Sequence, residues 1–72
     1  MKVKDILCRM PPYSLVTVKD FKTEEVLIDC DTCDRICAFD EVDEDIHRIF
    51  HSDVIKIERG RVFDNLILSI LR

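Results

Sequence analysis

Val3, Ile6, Leu7 and Met10 recur at i, i+3, i+4 and i+7, the apolar stripe of a helix of about two turns. Pro11 and Pro12 end it, because proline lacks the backbone donor and biases the residue before it away from helix. The stretch Tyr13 to Asp20 (YSLVTVKD) is rich in β-branched residues and predicts a strand. Glu24 to Cys30 (EEVLIDC) alternates, with Val26, Ile28 and Cys30 on one face, and predicts a second strand after a turn at Phe21 to Thr23. Arg35 to Phe39 (RICAF) reads as a third short strand. The period then changes: Phe39, Val42, Ile46 and Phe50 are spaced helically and predict a helix at about 41–51, with Asp40 as its cap. Glu41, Asp43 and Glu44 lie near the positive end of its macrodipole, and Arg48 and His51 near the negative end. Val54 to Glu58 (VIKIE) and Leu66 to Leu71 (LILSIL) predict a final hairpin that turns either at Arg59-Gly60-Arg61 or at Asp64-Asn65.

The order α-β-β-β-α-β-β predicts an α+β fold, in a single domain spanning 1–72. Short turns between consecutive strands favour an antiparallel sheet. The expected architecture is a strongly twisted sheet or partial barrel of about five strands, with an N-terminal helix and the helix at about 41–51. The last strand is apolar on both faces: Leu66, Leu68 and Ile70 point one way, Ile67 and Leu71 the other. Helices can cover one face. The other calls for a sheet that curls on itself or for a second copy of the chain, so a homodimer is an expected assembly.

At 72 residues the chain is too short for a doubly wound cofactor domain or a (β/α)8 barrel. Gly60 is the single glycine, which excludes a glycine-rich phosphate loop, and Ser14, Ser52 and Ser69 carry no nucleophile signature. The expectation is a protein that is not an enzyme. The net charge of −4 is unevenly spread. Asp29, Asp31, Asp34, Asp40, Glu41, Asp43, Glu44 and Asp45 are offset only by Arg35, and the rest of the chain is net positive. Such a tract repels phosphate backbones, which argues against duplex nucleic acid as a partner. It is either a solvated face or a patch, centred on Asp40, Glu41, Asp43, Glu44 and Asp45, that docks a protein with a basic surface. Polar residues interrupt the N-terminal segment every two or three positions, so it reads neither as a signal peptide nor as a membrane anchor, and a cytoplasmic location is expected.

In that compartment four cysteines are thiols or metal ligands before they are disulfides. Cys30, Cys33, His47 and His51 form C-x2-C-x13-H-x3-H. A CxxC turn brings two thiolates together and histidines four apart share a helix face, a tetrahedral ligand set for zinc. Over residues 24–51 the pattern resembles the ββα zinc finger, which implies those four residues as ligands. Cys37 and Glu44 stand where that family has its core aromatic and leucine. The acidic helix would then serve a structural zinc and not groove reading. The plainer alternative makes Cys30 an inward strand residue, Cys37 a second buried thiol, the histidines a helix flank, and leaves the chain without a cofactor. A redox role for the CxxC is disfavoured, because neighbouring aspartates hold thiol pKa values up. Residues 40–45 are no EF-hand loop, lacking its glycine and terminal glutamate.

Taken along the whole chain, KVKDIL, a proline, SLVTV, EEVLI, SDVIKIE and LILSIL resemble small accessory proteins carried by phages and mobile elements of Gram-positive bacteria. That resemblance implies a non-enzymatic protein, of a kind that includes inhibitors of host defence factors acting through protein contacts. It brings no functional residues with it.

Overall fold

In the computed structural model, which describes residues 1–60 and 65–71, the chain runs α1 (Val3–Leu7), β1 (Leu15–Asp20), β2 (Val26–Thr32), α2 (Cys33–Phe39), α3 (Glu44–Phe50), β3 (Val54–Arg59) and β4 (Leu66–Ile70). The α+β class is as the sequence predicts. Four strands form one open sheet in the order β2-β1-β4-β3, so the fifth strand and the barrel-like closure do not occur among the described residues. β1 pairs with β2, and β3 with β4, antiparallel, but β1 and β4 run parallel, from Val16↔Leu66 to Asp20↔Ile70. The wholly antiparallel expectation is therefore corrected. Insertion between β1 and β3 pairs β4 along both of its edges, and the helices cover one of its faces.

The missing strand is RICAF, which is helical. Cys33 and Ile36, three apart, are its buried residues, a helical spacing that outweighs the two-residue alternation of Ile36 and Ala38. Helix starts leave backbone N–H groups without partners. Here Cys33 and Asp34 donate theirs to the carbonyls of Ser14 (3.1 Å) and Pro12 (3.1 Å), so the proline segment before β1 holds the start of α2. The first helix is also shorter than its stripe, and closes at Cys8 with tighter bonds from Arg9 to Ile6 and Met10 to Leu7.

Val16, Val18, Leu68 and Ile70 on the sheet pack with Val3 and Leu7 of α1, Cys33 and Ile36 of α2, and Ile49 and Phe50 of α3 in one core. On the other face of β4, Ile67 stands in register with Thr17 and Glu58, and Ser69 with Lys19 and Lys56. The aliphatic stems of lysines can cover apolar surface while their charges stay in water. The chain start is tied down too: Val54 donates to the Met1 carbonyl at 2.8 Å and Val3 to that of Ser52 at 3.1 Å.

The turn at Phe21 to Thr23 forms as expected, with the Asp20 carboxylate accepting from the N–H groups of Lys22 (2.8 Å) and Thr23 (3.2 Å). In the final hairpin, Gly60 donates to the Asn65 carbonyl at 2.8 Å. The choice between turns at 59–61 and 64–65 falls on 61–64, which lie outside the described residues.

Candidate functional site

The chemistry-bearing residues collect where α2 gives way to α3. Val42 and Asp43 both donate to the Phe39 carbonyl, at 3.2 and 2.9 Å, which reverses the chain within four residues. Asp43, not Asp40, caps α3: its carboxylate accepts from the N–H groups of Asp45 (2.9 Å) and Ile46 (3.2 Å). The helix accordingly starts three residues later than the apolar spacing predicts, and Phe39 and Val42 are no part of its buried face. Val42 is instead 76% exposed, and the inward residues of α3 are Ile49 and Phe50.

Freed from capping, Asp40 ends α2 and turns its carboxylate to the histidine face of α3. One oxygen, Oδ1, lies 3.1 Å from His47 Nδ1 and 3.7 Å from His51 Nε2. The two histidines, one turn apart, lie with ring centroids 4.4 Å apart and planes tilted by 54°, and His51 meets the buried Phe50 ring in a T-shaped contact with centroids 5.8 Å apart. Asp40, His47 and His51 are the group among the described residues whose donor atoms converge as metal ligands would, all within 4.8 Å of one another.

Cys30 and Cys33 do not join that group. Cys30 sits in a bulge of β2: Val16 pairs with Asp31 and Val18 with Ile28, so Asp29 and Cys30 together oppose Thr17. Its backbone is left-handed, with φ 49°, and its N–H donates to Thr17 Oγ1 at 3.1 Å. The bulge breaks the alternation with Val26 and Ile28, and Cys30 is only half-buried. Cys33 is buried in the core at the start of α2. Burial first, then the charges of Cys37 and Asp34, push its thiol pKa up. Cys37, expected to be buried, is exposed. Its thiol is also pushed up, by desolvation first and then by Cys8, Asp40 and Asp34. Thiols held protonated are poor nucleophiles.

Glu41, Asp43 and Glu44 join Asp40, His47 and the exposed Val42 around an open depression of about 610 Å³. Asp45 follows on the first turn of α3. Among the described residues Glu41, Asp43, Glu44 and Asp45 make no ion pair with a lysine, arginine or histidine. Among the described residues that negative charge has no countercharge, and it lies beside a Val42 that is 76% exposed. The periodicity missed the Asp40–histidine convergence because it assigned Asp40 to the cap. The signal was the placement of an aspartate seven residues before the first histidine of an i, i+4 pair.

No helix among the described residues is long and apolar enough to cross a membrane. Comparison of the chain with protein-family models, with curated proteins and with solved structures finds no match.

Proposed function

We propose that this chain is a small, non-enzymatic protein-binding module of the cytoplasm that docks a basic partner surface on the α2–α3 junction. The observation that carries the reading is the exposed Val42 among Asp40, Glu41, Asp43 and Glu44, which line the same open depression. An apolar anchor within a charged rim is how protein interfaces are built, the anchor giving affinity and the rim giving orientation and on-rate. Carboxylates crowded at helical spacing also repel one another by a few tenths of a kcal/mol per pair. A lysine- or arginine-rich partner relieves that repulsion. The resemblance to accessory proteins of phages and mobile elements points the same way, towards an inhibitor of a host defence factor that acts by occupying its basic surface.

The test is a binding titration against a partner isolated from a Gram-positive bacterial host, comparing the wild type with Glu41→Lys/Glu44→Lys and with Val42→Asp. Both variants change exposed positions, so folding is preserved. We expect at least about tenfold weaker binding from each, and a wild-type affinity that falls as salt rises. Binding that is salt-insensitive and unchanged in both variants would make the acidic ring a solvated face and overturn the proposal.

A further inference from the structure

We infer that Asp40, His47 and His51 form a binding site for a divalent transition-metal ion of the zinc class, distinct from the Cys2His2 set that the sequence spacing suggests. Zinc binds imidazole nitrogen at about 2.0–2.1 Å and carboxylate oxygen at about 2.0–2.2 Å, so the edge between two ligands of a tetrahedral site is about 3.4 Å. The two measured edges from Asp40 Oδ1 are 3.1 Å to His47 Nδ1 and 3.7 Å to His51 Nε2. They bracket the required value. The remaining edge, between the two imidazole nitrogens, lies within 4.8 Å, and χ2 of the two partly exposed rings is the soft torsion that sets it.

The donor types agree with the metal class. Two imidazoles and one carboxylate are borderline ligands that suit zinc and its neighbours, whereas magnesium and calcium prefer all-oxygen sets. Three protein ligands leave a fourth position for water, the arrangement of an open zinc site.

The scaffold holds the donors in place. His47 and His51 are fixed relative to each other by one turn of α3, and His51 is braced against buried Phe50. Asp40 is held by its backbone N–H bond to Cys37 and by the reversal at Phe39. The carboxylates of Glu41, Asp43 and Glu44, which make no ion pair among the described residues, add a negative field that draws in a cation. Bound metal would clamp the end of α2 to the end of α3, stiffening the junction on which the acidic ring sits. The site stands without the docking proposal, because its ligands all belong to this chain.

The experiment is calorimetric titration of the metal-free protein with zinc chloride, together with visible spectra of the cobalt-substituted protein. We expect one zinc per chain with micromolar affinity, and at least about tenfold weaker binding in each of Asp40→Asn, His47→Ala and His51→Ala. Cys30→Ser/Cys33→Ser should bind zinc like the wild type, and the cobalt spectrum should lack thiolate charge-transfer absorption. Circular dichroism checks that each variant is folded, above all the double serine variant, because Cys33 is buried in the core. Absence of zinc binding at millimolar metal overturns the inference and leaves the three residues an ordinary hydrogen-bonded cluster. Thiolate absorption, with loss of binding in the double serine variant, overturns it in favour of the Cys2His2 set.

Discussion

Cys30 shows how a single backbone angle redirects the chemistry of its neighbourhood. Its φ of 49° places a residue with a Cβ in the left-handed region, at a cost of roughly 1–2 kcal/mol. The bulge it makes is pinned by Thr17, whose Oγ1 accepts from Cys30 N–H at 3.1 Å and from the Asn65 side-chain amide at 3.2 Å. Glycine escapes the steric penalty but gains freedom in the unfolded chain, and the two effects partly cancel. We therefore expect Cys30→Gly to leave stability unchanged or to raise it by up to about 1 kcal/mol. Cys30→Val should lower it by about 1–2 kcal/mol, since β-branched residues are the least tolerated at positive φ. Urea denaturation midpoints of the two variants check this. A glycine variant markedly less stable than the valine variant would mean that side-chain packing, not the left-handed backbone, decides this position. Nothing in the alternation of Val26, Ile28 and Cys30 announces the bulge, because the two-residue period describes a regular strand and a bulge is an exception set by the partner strand.

At the scale of elements, the cap of α3 decides what Asp40 is free to do. The segment Asp40 to Asp45 offers several acidic residues able to cap a helix, and side-chain chemistry alone does not choose among them. The selection is made by the reversal at Phe39, which presents the N–H groups of Asp45 and Ile46 to Asp43. Asp43→Ala should cost about 1 kcal/mol, read as a lower thermal midpoint. Asp40→Ala should leave the helix cap intact and cost less, so the reverse order of the two variants would show that Asp40 is the cap after all. The elements with strong, long patterns were legible: β1, β2, β3, β4, the first helix and the existence of α3 all follow from periodicity and turn chemistry. α2 was not, because five residues containing two β-branched or aromatic side chains fit a strand as well as a helix. Its identity comes from outside the segment, from the Pro12 and Ser14 carbonyls that accept its first N–H groups and from the core that takes up Cys33 and Ile36. The histidine face was legible as a ligand pair, but its third donor was not, since it depends on where the chain turns.

Strand order is a property of the whole molecule, and it is where local pattern carried least. The apolar faces of Leu66 to Leu71 call for cover on two sides, yet which strands lie beside β4 depends on contacts distant in sequence. The parallel pairing with β1 makes β4 the strand through which the two antiparallel pairs are joined, and so fills its edges. Leu68 lies at its centre, fully buried, with Val18 beside it on β1 and Ile57 on β3. A domain of this size has a stability of about 4–11 kcal/mol, because small chains bury a smaller share of their surface. Truncating a buried leucine costs about 2–5 kcal/mol through lost transfer energy and the cavity left behind. Leu68→Ala should therefore remove a large part of the folding free energy, whereas Ile57→Ala, at a side chain 52% exposed on the neighbouring edge strand, should cost under about 1 kcal/mol. Chemical denaturation with both variants measures the difference. Equal losses would mean that the edge strand is covered in solution, and a Leu68→Ala protein as stable as the wild type would remove β4 from the centre of the sheet.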